Sequence, residues 1–307
     1  MKAPFPITPQ LTAVAIAYRN IRLIADDVLP RTPVNLQEFK YRKYALGDKF
    51  TIPNTLVGRT SQPNQVEFGF TEVTDSTRNY ALDDPIPQDD INNAPEGYDP
   101  ISHAVEGITD LILLDREVRT AALVFNADSY ASANKTQLSG DEQWDSEDSD
   151  PIDDIVTALD NMIMRPNIMV LGNGVATALR RHPKIVKAYH GTLGDSGIVP
   201  MEFVRNLFEL EQILVGPGWV NNARKGQAPS VSRVWGKHCS LIYRDVLAGP
   251  QARVTFGFTA QWGSRVAGSI ADPDIGMRGG QRVRSGESVK ELVCADDLGY
   301  FIQDAIG

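Results

Sequence analysis

The spacing of apolar residues divides the chain into stretches of different period. Residues 1–30 begin rich in proline and carry an apolar run over 11–24 that Arg19 and Arg22 interrupt. This predicts an arm with little core of its own. Residues 49–53 and 65–73 read as strands, and in the second Val66, Phe68 and Phe70 share one face. Between them Gly58-Arg59-Thr60-Ser61-Gln62-Pro63-Asn64 is a dense cluster of turn formers. The pair predicts a long hairpin, which a third extended piece, 79–87, leaves. It has too few large apolar residues to stand as a domain, so it needs another surface to lie on.

Asp99-Pro100 opens the clearest helical period: Asp is a favoured N-cap and Pro suits the first helical position. Ile101, Val105, Ile108, Ile112, Val118, Ala122 and Phe125 follow, mostly three or four apart. The helix is expected to reach about Tyr130, roughly 45 Å at 1.5 Å per residue, far longer than most globular helices. Residues 139–154 form an acidic stretch without one basic residue, expected to be a solvated loop. It ends in a second Asp-Pro start, Asp150-Pro151, ahead of a helix over 155–164. Strand 167–171, helix 175–181, a break at Pro183, helix 200–210 and strand 212–215 give α/β texture. The last third reads as strands over 231–235 and 240–244. Val254, Phe256, Phe258, Ala260 and Trp262 alternate with smaller or polar residues, and 282–284 with 289–294 predict a hairpin turning at Ser285-Gly286. Together these elements make the fold class α+β.

At 307 residues the chain can bury a sizeable core, as one large domain or two modest ones. A net charge of -9, with no long stretch rich in Lys and Arg, repels nucleic acid instead of binding it. No apolar run nears the roughly 18 residues of a bilayer span. Two prolines in the first six residues break the apolar core that a signal peptide needs. No membrane is expected, and the protein should stay in the cytoplasm where it is made.

Candidate chemistry is sparse. Cys239 and Cys294 lie far apart and read as buried free thiols. Gly172-Asn173-Gly174 after an apolar strand resembles a phosphate cradle, but Thr177 stands where a dinucleotide fingerprint has its third glycine. A plain strand-to-helix turn is expected. His103, His182, His190 and His238 show no metal-ligand spacing. The acidic stretch lacks the order of an EF-hand loop, and the basic cluster over 180–184 reads as a solvated helix end. No catalytic, cofactor or metal residue is predicted, and no enzymatic activity is expected.

The order of these elements resembles the major capsid proteins of tailed bacteriophages with the Hong Kong 97 fold. Val57-Gly58-Arg59-Thr60-Ser61-Gln62-Pro63-Asn64-Gln65-Val66-Glu67 and Leu82-Asp83-Asp84-Pro85-Ile86-Pro87 are similar to capsid proteins of Mu-like and related transposable siphophages. The resemblance implies an N-terminal arm (1–35), an extended loop with flanking strands (36–94) and a peripheral domain with a spine helix (95–149). A mixed α/β axial domain (150–307) would follow, its late strands returning to the peripheral domain. It further implies hexamers and pentamers of an icosahedral virion shell, built in a host bacterium and enclosing double-stranded DNA without sequence-specific binding. A separate scaffolding protein, a portal and decoration proteins are the partners it suggests. The extended loop would lie on a neighbouring subunit, with Phe50, Arg59, Glu67, Phe68, Phe70, Glu72 and Tyr80 as candidate contacts. An encapsulin-type nanocompartment is the alternative with the same fold, and a nucleotide-dependent α/β enzyme the alternative outside it.

Overall fold

The computed structural model describes residues 5–43, 52–65, 71–191, 194, 196–224, 226–250 and 254–307. Pro9 starts helix α1 (Pro9–Ala17) at a position where its missing N–H is no loss. Leu11 and Ala15 of this helix are buried in a cluster with Ile108, Ile112 and Ala267. A one-turn helix α2 (Ala25–Val28) and strand β1 (Arg31–Val34) follow. Val28 and Leu29 are wholly buried. The arm therefore has no core of its own but contributes to the core of the body: its apolar residues insert into clusters that the rest of the chain leaves open.

β2 (Glu38–Lys43) and β3 (Thr71–Ser76) pair antiparallel, with Glu38 opposite Ser76 and Lys43 opposite Thr71. Of the predicted hairpin strands, 49–53 and 65–73, residues 49–51 and 66–70 lie outside the described residues, 52–53 and 65 are not strand, and 71–73 belong to β3. The described pairing uses an earlier segment, in which Phe39 and Tyr41 alternate with Glu38, Lys40 and Arg42. Phe39 is buried against Phe258 and Leu292, and this seat fixes the register. β4 (Arg78–Pro87) matches the extended piece closely, and a short helix α3 (Gln88–Asn92) ends it.

The long helix α4 (Pro100–Val124) starts where the sequence indicated: the Asp99 carboxylate accepts from the N–H groups of Ile101 and Ser102. It stops short of Tyr130. There the chain doubles back, the Tyr130 hydroxyl donates to the Val124 carbonyl at 2.6 Å, and its ring stacks on Phe256 and Phe301. An end carbonyl that helix continuation would have satisfied is met by a side chain instead. The buried stripe also departs from the apolar period in the second half of α4. Arg116, Glu117, Thr120 and Ala121 face inward, while Val118 is half-buried and Ala122 exposed.

Next come β5 (Lys135–Gln137), α5 (Pro151–Asp160), β6 (Ile168–Gly172), α6 (Asn173–Arg181), α7 (Pro183–His190) and α8 (Met201–Leu207). β7 (Gln212–Gly216), the ribbon β8 (Trp219–Asn221) with β9 (Val231–Arg233), and β10 (Cys239–Ile242) follow. The chain ends in β11 (Gly257–Trp262), β12 (Val266–Asp272), β13 (Gly280–Val293) and β14 (Gly299–Gln303). The acidic stretch keeps most of its carboxylates exposed, as expected of a solvated loop, but it is anchored to the body of the protein. Trp144 is buried within it and donates to Asp154 at 2.9 Å, while Ser149 meets His182. The expected hairpin at 282–294 is a single strand. Gly286 is needed for close approach and not for a turn, since a Cβ there would lie 2.8 Å from the Cβ of Ala81.

Two sheets organise these elements. One runs β5-β14-β10-β6-β7. Met169, Leu171, Cys239, Leu241 and Ile302 point from it into a cluster with α5, α6, α7 and α8. Ile168, Val170, Leu214, Ile242 and Phe301 point the other way, onto Val28, Leu29, Val124, Trp235 and Phe256. The other sheet is built on β13. β4 pairs along one edge, and β11 and β12 pair with successive stretches of the opposite edge. Gln261 faces Val289 and Val266 faces Gly286, so four residues oppose two across a bulge that aims Arg265 at Glu287. β1 adds to β11 in parallel, and α4 packs on the sheet.

Candidate assembly surfaces

The β2–β3 ribbon is anchored along its described length, and residues 52–65 are exposed. Phe39 holds the base, Lys43 reaches Asp296 at 3.1 Å, Lys290 reaches Asp75 at 3.5 Å, and Arg42 N–H donates to the Pro250 carbonyl. Residues 52–65 carry Ile52 at 90% exposure and Leu56 at 84%. Their hydrogen bonds are local: Ser61 N–H to Gly58, Asn64 to the Asn54 carbonyl, and Leu56 N–H to the Asn54 side chain. Large aliphatic side chains this exposed, on a segment bonded to itself, form a surface without a partner among the described residues.

The seven predicted contact residues do not gather at one place among the described residues. Arg59 sits exposed in the 58–61 turn. Glu72 faces Lys40 at 3.4 Å across the ribbon, an exposed pair of small worth. Tyr80 lies on β4 opposite Glu287, under the Arg119 guanidinium at 3.7 Å and against the cluster of Val105 and Ile108. Its ring belongs to its own subunit's packing. Phe50, Glu67, Phe68 and Phe70 lie outside the described residues.

The sequence reading missed the attachment of the arm to α4. The buried Glu117 carboxylate accepts from Ile24 N–H at 2.9 Å, Ala25 N–H at 2.8 Å and the Trp235 indole at 2.6 Å. Burial pushes this carboxyl above the usual range, against those bonds and the Arg116 charge. Beside it Arg116, wholly buried, binds Asp26 and donates to the Leu29 carbonyl and Thr259. Arg31 and Arg265 both grip Glu287, at 2.8 and 2.9 Å. Burial works to raise Glu287, but the two guanidiniums outweigh it and hold the carboxyl below its ordinary value. Arm, long helix and β13 are thus joined by one network of ions. A period-based reading takes Arg116 and Glu117 for a solvated face, and only their position on the stripe continuing from Ile112 and Leu113 could have marked them.

The remaining chemical candidates are structural. A Cβ on Gly172 would lie 1.8 Å from the Gly236 carbonyl, and one on Gly174 would meet Ile306 at 3.0 Å. These glycines are accounted for by close packing against the chain's own backbone and the Ile306 side chain. His182 caps α7 by accepting from Lys184 N–H, and burial lowers its pKa. His238 accepts from Asp304 N–H at 2.9 Å. Of the basic cluster, Arg180 donates to the Val199 carbonyl and Lys184 pairs with Asp150. Both cysteines are buried and free; burial raises the Cys239 thiol and pushes Cys294 up to about 12. Among the described residues no cluster of His, Cys, Asp and Glu is placed to hold a metal ion, and no helix is long and apolar enough to cross a membrane.

Comparison with known proteins supplies the identity. The chain is 62% identical to a major capsid protein of Pseudomonas phage JBD67 over 99% of its own length and 98% of the relative's. The chain belongs to the phage major capsid proteins. Residues 125–216 match the family described as phage major capsid protein E. A major capsid protein of Burkholderia phage BcepMu is 28% identical over 98% of this chain and 97% of that one, in keeping with the Mu-like resemblance. The fold is similar to a phage-related protein of Bordetella bronchiseptica RB50, with a TM-score of 0.77, 25% identity and 99% of each chain covered. It is also similar to the capsid of the cyanophage P-SCSP1u, with a TM-score of 0.57, 10% identity, 94% of this chain and 89% of that one. This capsid protein is thus a mixed α+β subunit with capsid proteins among its structural neighbours, and its place is the virion shell.

Proposed function

We propose that this capsid protein closes an icosahedral shell of hexamers and pentamers around double-stranded DNA, using a subunit of the Hong Kong 97 type. In that reading α4 is the spine helix, and the β13 sheet with α4 is the peripheral domain. The β5-β14-β10-β6-β7 sheet with its helices is the axial domain, and residues 44–70 are the extended loop. The observation that carries it is the exposed apolar tip at 52–65, on a ribbon whose base is firmly anchored. Such a segment, without a partner among the described residues, gains burial on another copy. Repetition over many copies then turns weak contacts into a stable shell. The -9 charge suits a wall that encloses DNA through counterions without gripping it. The protein acts by geometry and not by catalysis, with assembly in the host cytoplasm and a separate scaffold, portal and decoration proteins as partners.

The test keeps the ribbon and removes the tip. Replacing residues 44–70 by Asn-Gly lets Lys43 and Thr71 close as a tight hairpin. The variant should fold cooperatively, retain its helical circular dichroism and sediment only as small species. Full shells from this variant would show that the loop does not clamp a neighbour, and failure to fold would make the loop part of the subunit's own core. Particles filled with protein cargo in place of DNA would favour the nanocompartment alternative.

A further inference from the structure

We propose that the β8–β9 ribbon docks a second copy of this chain, and that its occupant there is the acidic segment 141–148. The proposal rests on the shell-forming reading and assigns it a specific contact. Among the described residues the ribbon pairs only with itself, Trp219 with Arg233, Val220 with Ser232 and Asn221 with Val231. Such short two-stranded ribbons are marginal in water. It nonetheless exposes Trp219 at 51% and Val231 at 61%. Arg233 stacks on the Trp219 ring at 3.9 Å and donates to the Pro217 carbonyl, so its charge is fixed at the ribbon's base. Arg224 is exposed at the tip.

The acidic segment is its complement. Asp141, Glu142, Asp145, Glu147 and Asp148 are all exposed, and among the described residues none has a basic side chain within ion-pair distance; only Asp150, beyond them, is paired. The segment is held in shape by the buried Trp144, by Gln143 donating to the Asp304 carbonyl and by Gly307 N–H donating to Asp145. An ordered row of unpaired carboxylates is ready for a cationic partner without further ordering cost.

Sheet topology makes that partner another copy. The acidic segment follows β5 at one edge of the β5-β14-β10-β6-β7 sheet, and the ribbon follows β7 at the other. β5, β14, β6 and β7 all run the same way, so both surfaces emerge at one end of the sheet. Four strand spacings separate the two edges by about 19 Å. Opposite charges at opposite edges of one end meet head to tail between copies, and the same contact repeated about an axis closes a ring.

The test expresses the full chain with the phage's own head-assembly genes and reads particle yield by sedimentation and electron microscopy. Arg224→Glu, and separately Glu147→Lys with Asp148→Lys, should each lower the share of chain in particles about tenfold, since a weakened contact recurs at every subunit. Circular dichroism and melting should stay as in the parent. Combining all three changes in one chain should restore most of the yield, because each altered surface then meets its complement. Parent yields from either variant alone, or no recovery on combination, overturn the contact. Normal particles that retain less DNA in Arg224→Glu would assign the ribbon to nucleic acid and overturn it as well. A parent chain that forms no particles beside its head-assembly partners sinks the shell reading itself and the contact with it.

Discussion

Around the β5-β14-β10-β6-β7 sheet the interior is made of Ile155, Leu159, Met169, Leu171, Val186 and Phe208. Around β13 the interior also holds Arg116, Glu117, Glu287 and Glu291. The first region is held by shape and dispersion, which tolerate modest changes of volume. The second is held by charge-assisted hydrogen bonds between segments remote in sequence, at residues 26, 31, 116, 265 and 287. Buried ions add little net stability over an apolar core, yet losing one member leaves its partners uncompensated. The contrast teaches that the arm's placement is specified by ions, while the helix-backed sheet is specified by fit.

Breaking the ionic side should have the largest effect. Glu117→Ala leaves the N–H groups of Ile24 and Ala25 and the Trp235 indole unmatched, at a cost of about 3–5 kcal/mol by analogy with broken buried pairs. Chemical denaturation would measure it, and limited proteolysis should cut residues 18–30 faster. Leu159→Ala, on the apolar side, should cost about 2–4 kcal/mol without changing cleavage of the arm. Equal arm exposure in both variants would erase the distinction.

Acid sharpens the same contrast. Glu287 has a depressed folded pKa, so the stability it lends is complete above the ordinary glutamate range and is lost as pH falls through the folded value. Glu287→Gln should therefore be less stable at neutral pH and lose less than the parent below about pH 4.5. Parallel acid melts of the two proteins would remove Glu287 from the account. Asp99→Ala should cost about 1 kcal/mol by loss of the α4 cap, measurable as a lower midpoint with an unchanged denaturant slope. Lys40→Ala, removing the exposed partner of Glu72, should stay within about 0.5 kcal/mol in the same assay.

What the sequence revealed follows the locality of each signal. Asp99-Pro100 and Asp150-Pro151 start helices where expected because a cap is decided by three or four neighbouring residues. The extended piece before Pro87 was equally legible. Glu117 was not, because its value comes from Ile24 and Trp235, which only the folded chain brings near. Ser285-Gly286 looked like a turn because glycine marks turns and close contacts alike, and the tight approach of Ala81 is invisible until β4 is placed. Of the residues offered as contacts, the exposed turn position of Arg59 was legible from its neighbours, whereas the inward packing of Tyr80 depends on Arg119, remote along the chain.

The single strand β13 has a mechanical consequence. Its fourteen residues span about 47 Å, paired on one edge by β4 and on the other by β11 and β12. Tension applied along this strand loads both ladders in shear, so many hydrogen bonds must yield together. A load across it would unzip them one by one. A shell wall under pressure from its contents is stretched within its own surface, and a subunit with this strut resists most stiffly along the direction in which β13 lies.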